Sequence, residues 1–142
     1  MKVSAKTEYA CIAILELAAR YHSSVPARVR DLAEAHNIPA RFLVQILLQM
    51  KASGFVVSTR GKAGGYYLNR PPQQITLAEV MTAIEGPKNS CGNGIKKESS
   101  VTDVLRRVWN EAGCAQQQVL ESVTVAELLD HSHQSGGHMY YI

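Results

Sequence analysis

Apolar positions recur every three or four residues over three stretches in the first half of the chain. Over residues 3–21 they are Ala10, Ile14, Leu17 and Ala18, with Ala5, Ala13 and Ala19 adding helix propensity and Ser4 placed to cap the start. Val29, Leu32 and Ala33 form one face of a short helix between Val29 and His36, and Asn37, which tolerates left-handed backbone, ends it. Pro39 suits the first position of a third helix running to about Ala52, with Phe42, Leu43, Ile46, Leu47 and Met50 on its apolar stripe and Gly54 closing it. The period then changes. Gly54-Phe55-Val56-Val57 and Tyr66-Tyr67-Leu68 are short β-branched or aromatic runs separated by Gly61, Gly64 and Gly65, the pattern of a hairpin with a tight reversal.

The second half opens on a break at Asn69-Arg70-Pro71-Pro72-Gln73-Gln74. Thr76-Leu77-Ala78-Glu79 is a capping-box sequence for a helix that stops at Gly86-Pro87. Residues 88–100 are polar and glycine-containing and read as a mobile loop with Cys91 in its middle. Val101, Leu105, Val108, Ala112, Ala115, Val119 and Val123 then step by three or four along a long helix, to which Trp109 adds a large apolar surface. A long helix outside a small core suits packing against a partner subunit. Thr124-Val125-Ala126-Glu127 is a second capping box, opening a short helix through Leu129. The end of the chain, with His131, His133 and His138 among Ser and Gly, reads as a flexible tail.

The expected fold is therefore mainly α with a small β-hairpin: a winged helix-turn-helix plus a long dimerisation helix. Residues 1–72 would form the DNA-binding region, and 73–100 a short helix and sensor loop. The dimerisation helix and a final short helix would fill 101–130, and 131–142 the tail.

Charge sharpens this picture. The net charge of the 142 residues is +3, but residues 1–70 carry ten Lys/Arg against four Asp/Glu, and residues 71–142 five against eight. The basic half is the candidate for a polyanion. Arg60 and Lys62 sit at the hairpin tip, which alone fits either an ordinary exposed turn or a wing on a phosphate backbone or narrow minor groove. The three helices before it favour the wing. Ala40, Arg41, Val44, Gln45 and Gln49 would face away from the core on the third helix, and Arg41 and Gln45 have the chemistry to read guanine and adenine. Cys11, among Ala10, Ile12 and Leu15, reads as a buried inert thiol, and Glu8 as a surface carboxylate. Three cysteines do not make a secreted disulfide framework, no apolar run approaches membrane-spanning length, and the first residues lack a signal-peptide pattern, so a cytoplasmic protein is expected. Cys91 with a tail histidine is the only nucleophile–base pair and nothing positions it, so an enzyme is not expected. A pure protein-interaction module is the other class open to such a chain, and salt-dependent DNA binding distinguishes the two.

Several segments carry a resemblance. Lys6-Thr7-Glu8-Tyr9-Ala10, the helix Phe42 to Leu47, the wing Arg60-Gly61-Lys62-Ala63-Gly64-Gly65-Tyr66-Tyr67-Leu68, Ile75 to Val80, Ala83-Ile84-Glu85-Gly86-Pro87 and Val123 to Leu128 together resemble the Rrf2 family of bacterial winged-helix regulators, in order and over nearly the whole length. The resemblance implies a homodimer on double-stranded DNA. It puts Arg60 in the minor groove and Arg41 and Gln45 in the major groove, with Lys2, Ser4, Lys6 and Thr7 on the backbone. Many members hold an iron–sulfur cluster through three cysteines before the long helix. Here that loop has only Cys91, and the next cysteine is Cys114. Two readings follow. In one, Cys91 and Cys114 of one subunit with Glu8 and His36 of the other hold a redox-sensing [2Fe–2S] cluster. In the other there is no cluster, and a thiol, a small ligand or a partner protein controls a regulator of the same fold.

Overall fold

The computed structural model describes residues 1–87 and 99–139. Six α-helices and one hairpin follow in order: α1 (Ala5–Ala19), α2 (Val29–His36), α3 (Ala40–Ala52), β1 (Val56–Thr59), β2 (Gly65–Leu68), α4 (Leu77–Glu85), α5 (Ser100–Ser122) and α6 (Val125–Met139). A three-residue 3-10 turn, Pro72–Gln74, lies before α4.

α1 is the centre of the packing. It touches α2, α3, α4, α6 and β2, and so its apolar residues run round it rather than along one stripe. Ala10, Ile14 and Leu17 are buried, while Ile12 and Leu15 lie half-buried against the same core. Leu43, Ile46, Leu47 and Met50 of α3, Val80 and Ile84 of α4 and Val125 of α6 complete that core. Phe42, expected on the buried stripe of α3, is instead 50% exposed. It lies one residue off the line set by Leu43, Ile46 and Met50, which turns it toward the flank of the helix.

Local chemistry sets the helix ends. Ser4 caps α1 through the Thr7 amide at 3.1 Å, and Asn37 ends α2 at φ 54°. Gly54, at φ 83°, follows the end of α3. At α4 only half of the expected capping box forms. Thr76 Oγ1 accepts from the Glu79 amide at 3.2 Å, but the Glu79 carboxylate is drawn to Arg70 at 2.6 Å. At α6 both halves form between Thr124 and Glu127. α5 carries a box the sequence reading did not include, between Ser99 and Thr102. The amide of Leu77 donates to Val123 O at 2.9 Å and that of Val125 to Ile75 O at 2.8 Å, so the chain leaving α5 returns beside the start of α4. α6 continues ten residues beyond the expected end at Leu129. Helix thus replaces the start of the expected tail, and His131 and His133, two positions apart, point to different sides of it.

β1 and β2 pair antiparallel with Val56 opposite Leu68 and Thr59 opposite Gly65. The hairpin does not hang free. Ala27 N donates to Tyr66 O at 3.0 Å and Tyr66 N to Ala27 O at 2.8 Å, so the segment before α2 docks on β2. The close approach explains two glycines. A Cβ at Gly65 would collide with the Ala27 carbonyl, and one at Gly64 with the Thr59 carbonyl. Gly61 serves differently, holding φ at 107° in the turn. Gly65→Ala is expected to lower stability by about 1–3 kcal/mol, the usual cost of forcing atoms into filled space. Denaturant unfolding monitored by circular dichroism checks this, and wild-type stability would show that the Ala27–Tyr66 junction yields freely.

Candidate nucleic-acid interface

The buried face of α3 dictates its exposed one. At 3.6 residues per turn, Arg41, Val44, Gln45 and Leu48 lie opposite Leu43, Ile46, Leu47 and Met50. All four are exposed, as the sequence pattern anticipates for Arg41, Val44 and Gln45. Gln49 departs from expectation. It does not face outward with them, because its amide donates to Ala83 O at 3.0 Å and Ile84 O at 3.2 Å and so grips the last turn of α4. An amide given two carbonyl acceptors is held in place, and with it the azimuth of α3.

The wing places Arg60 and Lys62 in solvent at the hairpin turn. Arg28, just before α2, donates from Nη2 to Lys62 O at 2.6 Å, and Lys51 of α3 reaches Ser58 on β1 at 2.7 Å. The wing tip is thereby tied to both helices of the helix-turn-helix. Arg28 and Lys51 were not among the sequence candidates. Only the Ala27–Tyr66 pairing brings Arg28 to the wing, and no spacing rule in the sequence signals that contact.

The start of α1 divides the four expected backbone contacts. Lys2 and Lys6 are exposed. The Ser4 hydroxyl is exposed but engaged: it accepts from the Thr7 amide and donates to Thr7 Oγ1 at 2.9 Å. Thr7 is fully buried and donates to Glu85 Oε1 at 2.7 Å, so it is removed from any phosphate-contact set. A hydroxyl has one proton to give, and this one goes to a carboxylate.

Charge pairing separates structural cations from available ones. Arg70 bonds Glu79 and lies over the Phe55 ring at 5.3 Å. Arg20 pairs with Glu16 at 3.8 Å, and Arg30 with Glu34 at 4.0 Å. Among the described residues, Lys2, Lys6, Arg41, Arg60 and Lys62 enter no ion pair. Unpaired and hydrated, they can exchange water and counterions for phosphates.

The expected cluster ligands are not assembled in the same way. Glu8 is exposed near the start of α1. His36 Nε2 is 2.8 Å from Glu16 Oε1, which at 1.5 Å per residue lies about 12 Å further along α1 than Glu8. Glu8 and His36 therefore do not meet, and the set that pairs them on one subunit does not fit this arrangement. Cys114 is exposed on α5, and Cys91 lies outside the described residues. Among the described residues, no three His, Cys, Asp or Glu side chains come together as a metal site. Cys11 is half-buried. Burial first, then the carboxylates of Glu85 and Glu8, push its thiol up to about 11, which keeps it protonated and unreactive at neutral pH.

Comparison with known proteins agrees with this geometry. The family model described as Rrf2, iron-dependent transcriptional regulator, matches residues 3–131. An HTH-type transcriptional regulator of Mycobacterium tuberculosis strain H37Rv is 39% identical over 131 residues, covering 90% of this chain and 81% of that protein. The CymR regulator of Bacillus subtilis is 28% identical over the full length of both chains. Its structure, that of the global cysteine regulator of B. subtilis, superposes with a TM-score of 0.82 over 92% of this chain and 98% of that one. T. potens IscR superposes with a TM-score of 0.78 at 28% identity, over 99% of this chain and 97% of that one. These relatives are transcriptional regulators and not enzymes, and no helix among the described residues is long and apolar enough to cross a membrane. With a matching family model over almost all of its length, a docked basic wing and an exposed α3 face that carries Arg41 and Gln45, the chain belongs to the Rrf2 family of winged-helix transcriptional regulators.

Proposed function

We propose that two copies of this chain pair through α5 and seat two α3 helices in successive major grooves of an operator, with a wing beside each. The observation that carries the reading is the unpaired Arg41, Gln45, Arg60 and Lys62 on a frame that the Ala27–Tyr66 and Gln49 contacts hold fixed. Arg41 and Gln45 have the donors for base edges, and Arg60 and Lys62 have the charge for the groove and backbone alongside. Lys2 and Lys6 add phosphate contacts from the start of α1. A two-fold dimer would read an inverted repeat whose half-sites lie about one helical turn apart.

α5 supports the pairing. It has 23 residues, about 34 Å of helix, and none of them is buried. Val101, Val104, Leu105, Val108, Trp109 and Val119 are exposed along it. An apolar stripe of this length left in water is what a second copy of the same helix would cover.

A [2Fe–2S] input is a second reading, favoured by the family model's description as an iron-dependent regulator and by Cys114 standing exposed on the proposed pairing helix. Cys91 and Cys114 of one copy, with Glu8 and His36 of the other, are its proposed ligands. His36 rests on Glu16, so this ligand set requires it to leave that carboxylate and move along α1 toward Glu8.

Three outcomes check these statements. Arg60→Ala should weaken operator binding and lower the slope of log affinity against log salt by about one; fluorescence anisotropy across a salt series reads both, and an unchanged slope removes the wing from the contact. Val108→Glu should shift the protein from dimer to monomer in sedimentation velocity and abolish tight operator binding, whereas an intact dimer would send the pairing to another surface. Protein purified without oxygen should absorb in the visible and carry about two irons per chain, and Cys91→Ala should bleach it. Colourless protein after reconstitution would leave the cluster-free regulator.

A further inference from the structure

Two aliphatic side chains stand where polar ones would be expected. Val44 is 39% exposed and Leu48 is 53% exposed, and both lie on the outer face of α3 within about 100° of arc that also holds Arg41 and Gln45. The core does not require them there, because Leu43, Ile46, Leu47 and Met50 fill the opposite face. Helix propensity does not require them either, since a β-branched residue at 44 is a poorer helix former than Lys, Gln or Glu. Their neighbours narrow what can cover them. Arg41 flanks them on the helix, and Arg60 and Lys62 stand on the adjoining wing, so a second copy of this face would bring like charges together. A polyanion would not. The one apolar group that double-stranded DNA offers on the floor of the major groove is the C5-methyl of thymine.

We infer that Val44, and one turn further Leu48, read thymine methyl groups, so that operator choice by this chain depends on apolar contact as well as on the hydrogen bonds of Arg41 and Gln45. This rests on the DNA-binding reading above and adds to it a base and an atom. Val44 lies nearer the start of α3, the end that meets base edges in this class of motif, and carries the larger share.

The test removes one methyl group and nothing else. Duplexes bound by the wild-type dimer are first selected from a random-sequence pool. Each thymine of the selected site is then replaced singly by uracil, and affinities are measured for wild type, Val44→Ala and Leu48→Ala. Wild type should lose about fourfold at one or more thymines in each half-site, the factor that burying one methyl is worth. Val44→Ala should bind the thymine duplex more weakly by a similar factor and be indifferent to uracil at that position, closing the cycle. Both positions are exposed, so both variants should keep the wild-type circular dichroism melt. Wild type unaffected by uracil at every position would overturn the inference, as would variants that keep full sensitivity to the methyl. A pool yielding no bound duplex would overturn the DNA-binding reading itself, before any uracil is introduced.

Discussion

Burial of α1 is the constraint on which the other elements depend. Ile14 and Leu17 have no exposed surface to speak of, and α3, α4 and α6 pack most closely against their helix. Covering α1 turns Leu43, Ile46, Leu47 and Met50 inward and so fixes which side of α3 faces water. The exposed face is a by-product of core packing. A core substitution on α1 would therefore shift the exposed face of α3 without touching any residue on it, because the azimuth of α3 is set by the shape of what it packs against.

Polar contacts then refine what the core sets coarsely. The last turn of α4 receives Gln49 from α3, and its Glu85 receives Thr7 from α1. The Ala27–Tyr66 hydrogen bonds and the Arg28 and Lys51 contacts fix the wing against the same frame. Each bond contributes modestly to stability, about 1 kcal/mol. Their larger effect is to remove alternative positions for the exposed side chains of α3 and the wing.

Much of this was legible from the residues alone. Asn37, Gly54, Ser4 and the two capping threonines mark element ends through local chemistry, and local chemistry is what a sequence displays most directly. Periodicity places α1, α2, α3 and α5 for the same reason. Non-local contacts were not legible. Gln49 reads as an outward amide because α4 is more than thirty residues away, and the resemblance that puts Thr7 on a phosphate carries no sign of its bond to Glu85, further off still. Phe42 belongs by spacing to a stripe whose direction only the packed core decides. Nothing in the sequence near His36 signals that Glu16, twenty residues earlier, holds it away from Glu8. α6 ran past Leu129 although Gly136 and Gly137 disfavour helix, a reminder that propensity yields to continuation of a helix already begun.

The bare stripe on α5 has a thermodynamic consequence. A helix with no buried residue draws little support from its own chain, and propensity alone leaves isolated helices marginal in water. Its order must then come from whatever covers it. If that is a second copy, ordering of α5 and assembly are linked equilibria, and the melting temperature rises with protein concentration by mass action. The number of molecules in a cell would then set how firmly each one is folded as well as how many sites are filled.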